Sequence, residues 1–120
     1  LPSYVFTDFS KESELLELFC QERGVIKELM RGTGSKVAIS QHRSEFGAVM
    51  LLCYQPEKLY GMTDKVVRLG FMVVLARVLN CSHSGVKNFM REVPVYFKTY
   101  TDFKHTVLDV HERMLNHYEV

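Results

Sequence analysis

The residues able to do chemistry in this 120-residue chain are few: five histidines, three cysteines and a glycine-rich turn next to a lysine. The turn, Arg31-Gly32-Thr33-Gly34-Ser35-Lys36, exposes backbone donors beside a cation, which is what a phosphate needs. The phosphate-loop pattern, however, is G-x-x-x-x-G-K-[ST] between a strand and a helix. Here Ser35 precedes the lysine and a helical pattern precedes the loop, so a plain helix-ending turn accounts for it. The histidines are His42, His83, His105, His111 and His117. A helix advances about 100° per residue, so the last three point in different directions, and none forms the i, i+4 pair of a helical metal site. Cys81 and His83 lie too close in sequence to face each other as nucleophile and base, with no third group to orient them. Cys20, Cys53 and Cys81 form no C-x-x-C pair and are odd in number, which reads as reduced, buried thiols. The sequence therefore predicts no catalytic residue, no cofactor and no metal site, and hence no enzyme.

Binding is better served. From Pro94 to Phe103 aromatics concentrate in one segment, and aromatics anchor interfaces because they offer large apolar area at small rotamer cost. Pro94 argues for an extended strap here, Val93 to Lys98, on which neighbouring side chains alternate in direction. That assigns Tyr96, Lys98 and Tyr100 to the outward, partner-binding set, against the plainer reading of a strap that completes the core. Cations at Lys36, His42, Arg43, Lys87, Arg91, Lys98 and Lys104 fall near turns and helix starts, where phosphates can be held. Lys36, Arg43, Lys87 and Arg91 are the candidates for nucleic-acid contact; a solvated surface is the commoner meaning. With 15 basic against 14 acidic residues, the net charge of +1 supplies no general field for a polyanion or an anionic membrane.

The elements that must position these residues are helical. Hydrophobic residues at 47% and charged residues at 24% are the balance of a globular domain with a filled core. Ser10 caps a helix with Glu12 and Glu14 in its first turn, running from Lys11 to Arg31 with Gly24 as its weak point and Gly32-Thr33-Gly34 at its end. Gln41 to Tyr54 reads as a second helix, with a buried strand from Ala48 to Tyr54 as the alternative, because a short apolar run has no decisive period. Pro56 stops it. Thr63 to Asn80 is apolar almost all round, the mark of a buried central helix. Ser82 or Ser84 starts a short helix through Val86, Phe89 and Met90. Thr99 with Asp102 makes a capping-box-like start to a last amphipathic helix, in which Phe103, Val107, Val110, Met114 and Tyr118 recur at helical spacing. The expected fold is all-α: a compact single domain, 1–120, of about five helices around Thr63 to Asn80, with one extended segment near Pro94. No apolar run approaches the ~20 residues of a membrane span, since Arg68 and Arg77 bracket Leu69 to Ala76. The opening Leu1-Pro2-Ser3-Tyr4 carries no initiator Met and no signal pattern, which reads as a piece of a larger intracellular protein, cytoplasmic or nuclear.

Two resemblances exist. Arg43-Ser44-Glu45-Phe46-Gly47-Ala48-Val49-Met50-Leu51-Leu52-Cys53-Tyr54, with Thr101-Asp102-Phe103-Lys104-His105 and Glu112-Arg113, resembles the helical DNA-binding front end of large replicative transposases. Thr63-Asp64-Lys65-Val66-Val67-Arg68-Leu69 onward resembles a helix of the Rac-binding scaffolds in the actin-regulating WAVE complex. The two families are unrelated, and neither match assigns membership. The function expected from the sequence is a non-catalytic helical protein–protein interaction or scaffold module, which binds a protein partner or itself and no membrane. The alternatives are a nucleic-acid-binding helical domain and a unit of a helical-repeat scaffold.

Overall fold

Asp8 opens the folded chain: its carboxylate accepts from the Ser10 N–H at 2.8 Å and starts a 3-10 turn, Phe9–Lys11, that leads into helix α1, Glu12–Arg23. The structure, a computed structural model, describes residues 4–32, 36–68 and 70–118, and of residues 36–39 the backbone alone. The turn at Gly32-Thr33-Gly34 therefore lies largely outside the described residues. Gly24, at φ +74°, ends α1 in the left-handed conformation that costs glycine little, its N–H donating to the Cys20 carbonyl at 3.0 Å. The expected Lys11–Arg31 helix is thus broken at its weak point, and its remainder is the single turn α2, Lys27–Met30.

Helix α3, Lys36–Tyr54, follows, then the short α4, Pro56–Leu59, with Pro56 at its first turn. The strand alternative for Ala48 to Tyr54 fails: the run is helical, and every residue from Ser44 to Tyr54 is buried. A strand can be buried on both faces only inside a sheet, and among the described residues there is none. Helix α3 packs against α2, α4, α6 and α7, so it is the centre of the bundle. Each fully buried Leu or Phe on it contributes roughly 1.5–3 kcal/mol of transfer free energy.

The expected central helix from Thr63 to Asn80 is corrected. Helix α5 is only Phe71–Leu79, with Gly70 at its start and Asn80, in the left-handed region, at its end. Residues 62–68 are irregular. Thr63 does not cap a helix; its hydroxyl accepts from the Lys65 N–H at 3.1 Å, a local turn. Gln55 holds the backbone beyond it, accepting from the Arg68 N–H at 2.9 Å and donating to the Val66 carbonyl at 3.4 Å. Arg68 donates to the carbonyls of Phe6 and Thr7 and lies 4.7 Å over the Phe9 ring. These bonds engage the loop's polar backbone groups outside any helix, which overrides the apolar pattern.

The extended segment at Pro94 is also corrected. Pro94 sits inside α6, His83–Thr99, whose Ser82 cap accepts from the Gly85 N–H at 3.0 Å. Val86, Met90, Val93 and Phe97 are buried along one stripe, spaced four, three and four apart, so packing outweighs the ~3 kcal/mol that a mid-helix proline costs. Only Tyr100 separates α6 from α7, Thr101–Leu115. Tyr100 is the N-cap residue of α7 and no side chain caps it, so the Thr99–Asp102 box does not form. Gly47 lets α6 come close to α3: a Cβ there would overlap the Met90 sulfur and meet the Phe89 ring at 3.3 Å. The result is a compact all-α bundle of seven helices among the described residues, in which no helix is long and apolar enough to cross a membrane.

Candidate protein-interaction face

Proline at position 94 has no N–H, so the Met90 carbonyl one turn earlier lacks its helical donor. Both residues line a recess of about 490 Å³ where α6 meets α3, α4, α5 and the 62–68 loop. Its floor is the buried pair Leu51 and Met90, and its walls include the half-buried Val67, Met72 and Pro94. Lys58, Lys87 and Arg91 supply the remaining lining, and among the described residues no acidic one lines it. Lys87 and Arg91 are exposed, one helical turn apart. None of the three cations makes an ion pair among the described residues.

Two other recesses hold ion pairs. A polar recess of about 510 Å³ between α1 and α7 holds Arg113 paired with Asp109 at 2.9 Å, and beside it His117 meets Glu22 at 2.9 Å. A smaller one, about 240 Å³, holds Arg77 on Glu12 at 2.7 Å, its Lys27 reaches Glu17 at 3.6 Å, and its Arg31 has no ion pair among the described residues. The recess along α6 is the most apolar of the three, with Leu51, Val67, Met72, Met90 and Pro94 beside three cations that make no ion pair among the described residues.

The sequence candidates distribute unevenly around this face. Lys87 and Arg91 come together on it. Lys98 is exposed, and its spacing of seven from Arg91 places it on the same flank of α6. Tyr96 and Tyr100 do not join it, because two residues along a helix turn about 200° to the opposite flank. There the rings of Tyr96 and Tyr100 stand 5.8 Å apart, and Tyr96 also meets Phe103 at 5.9 Å, which leaves Tyr96 half-buried and Tyr100 exposed at the α6–α7 joint. The expected outward set is split between two flanks, since the backbone is helical where alternation was assumed. Arg43, half-buried, donates to the Met30 carbonyl at 2.9 Å and the Leu79 carbonyl at 3.1 Å, tying α2 and α5 to α3. The side chain of Lys36 lies outside the described residues.

Three features escaped the sequence reading. Lys58 joins the rim from α4 and carries no local signal for it. Glu45, only 2% exposed, accepts from Arg23 at 2.9 and 3.3 Å and faces the His42 ring nitrogen at 3.1 Å; its place after the polar Gln41-His42-Arg43-Ser44 gave no sequence cue to its burial. His111 is buried, with no partner at Nε2 among the described residues, and desolvation lowers its pKa to about 4. All three thiols are free; burial pushes Cys53 up to about 12 and also raises Cys20 and Cys81. Such thiols stay protonated and weakly nucleophilic at neutral pH. Among the described residues no group of three His, Cys, Asp or Glu side chains is placed to hold a metal. No family model matches the chain, and no curated protein or solved structure is significantly similar to it.

Proposed function

We propose that the chain is a non-catalytic helical protein–protein interaction module of an intracellular protein, and that it meets its partner along the Lys58–Lys87–Arg91 flank of α6. One observation carries the reading: three cations without acidic partners among the described residues surround an apolar floor. Apolar surface at the centre with polar groups around it is the general anatomy of a protein interface. Raised thiol pKa values and the absence of a nucleophile hydrogen-bonded to His42 favour binding over catalysis. Nucleic-acid binding is weakened because Arg43 is engaged by the fold, leaving Lys87 and Arg91 as the described pair of that set.

A photo-crosslinking residue placed at Arg91, and in a control at the exposed Asn116 on the far end of α7, tests this in cells of origin. The expected result is a discrete protein adduct from position 91 and none from position 116. Equal yields at the two positions, or adducts to nucleic acid, would overturn the assignment.

A further inference from the structure

We infer that the occupant of the α6 recess is an acidic peptide segment of a partner protein carrying at least two large apolar side chains. The inference rests on the interaction reading above and names the chemistry of the ligand. Charge decides the first half. Lys58, Lys87 and Arg91 all face the recess, Lys98 extends their flank, and none of the four has an ion-pair partner among the described residues. Exposed cations close together repel one another, and an incoming carboxylate relieves that repulsion while a cationic segment adds to it. The one acid on this stretch of α6, Glu92, is exposed and sits about 100° round the helix from Arg91, off the recess.

Shape decides the second half. At about 490 Å³ the recess is too small to swallow a helix, which is about 10 Å across with its side chains, and large enough for a few aliphatic or aromatic side chains entering from one edge. Its floor is Leu51 and Met90 and its wall includes Met72; the unbranched side chains of the two methionines adapt to different anchors. A nucleic acid would leave that floor uncovered, since phosphates seek cations and backbone donors. A free phosphate would find no hydroxyl or carboxamide in the lining. From Lys87 to Lys98 the cations span 11 residues of helix, about 16 Å at 1.5 Å per residue, which about five residues of extended peptide or eleven of helical peptide cover.

Panning a random 12-residue phage-displayed library on the folded chain tests this without presuming a partner. The enriched peptides are expected to carry a net charge of about −3 or below and at least two of Leu, Ile, Phe, Met or Trp. A fluorescein-labelled synthetic copy of the commonest one is expected to lose tenfold or more in affinity on the K87A/R91A variant, and to weaken steeply as NaCl is raised. Lys87 and Arg91 are exposed, so this variant is expected to melt with the parent. Neutral apolar peptides that are lost on Met72→Glu yet indifferent to K87A/R91A would overturn the acidic occupant and leave the interaction groove standing. Failure to enrich any peptide that depends on the groove would overturn both. So would tighter binding of a dT20 oligonucleotide or of phosphatidylserine vesicles through the same two cations, whereas self-association in sedimentation that K87A/R91A abolishes would overturn the acidic occupant alone.

Discussion

His111 shows how much one side chain can set. It faces inward from α7, 5% exposed, and the removal of water from the ring disfavours the charged form, holding its pKa at about 4. In the unfolded chain the same ring titrates near 6.5. As pH falls, the unfolded state therefore takes up the proton first; the folded state keeps its full stability above 6.5 and loses it progressively down to about 4. The loss is on the order of 3 kcal/mol, enough to matter in a domain of ordinary ~5–15 kcal/mol stability. Thermal melts are expected to drop between pH 7.5 and 4.5, and His111→Phe, similar in shape and without a titrating proton, is expected to flatten that drop. A pH slope unchanged in the variant would place the acid sensitivity elsewhere. Arg43 teaches a structural lesson at the same scale: a cation with no partner apparent in the sequence holds the Met30 and Leu79 carbonyls and so ties three helices together.

At the scale of elements, α5 separates the expected from the observed core. A helix apolar all round predicts that a charge at Val73 or at Leu75 is equally ruinous. In the structure Val73 is 54% exposed and Leu75 is fully buried. Leu75→Asp is thus expected to unfold the chain, since an unpaired buried charge costs several kcal/mol, while Val73→Asp is expected to leave the melt within about 1 kcal/mol of the parent. Equal damage from the two would restore the all-round helix. The last helix was legible because Phe103, Val107, Val110 and Met114 sit against clearly polar neighbours, so the 3.6-residue period stands out. Gly24 was legible as a break for its conformational freedom alone. Residues 62–68 were not, because what keeps them irregular is Gln55 and Arg68 bonding across the fold, and no local propensity encodes that. Pro94 misled for a related reason: its local preference was outvoted by the buried stripe of Val86, Met90, Val93 and Phe97, whose spacing was present in the sequence. With the helix missed, the sequence puts Lys98 in the outward set with the tyrosines, and the groove itself, which needs Lys58 from another helix, could not be assembled from any single segment.

For the molecule as a whole, α3 is the axis about which the other helices are hung, and Cys53 near its end reports on that. The thiol is completely buried, whereas Cys81, after α5, is half-buried. A thiol reagent in excess is expected to label Cys81 quickly under native conditions and Cys53 only at the rate of global opening, so that denaturant well below the midpoint accelerates Cys53 in proportion to the unfolded population. Rapid native labelling of Cys53 would show that the bundle opens around α3 without unfolding. The N-terminal segment is fastened to this same axis: the Phe6 N–H donates to the Cys53 carbonyl at 2.7 Å, the Tyr54 hydroxyl to the Asp8 carbonyl at 2.8 Å, and Arg68 closes over Phe6 and Thr7. In kinetic terms those bonds join residues 46 to 62 positions apart, so each closes a long loop whose entropy is recovered only after the helices between have docked. Residues 6–9 are then among the last of the fold to find their places, and until they do, the aromatic rings of Phe6, Phe9 and Tyr54 are open to water and to one another's wrong partners.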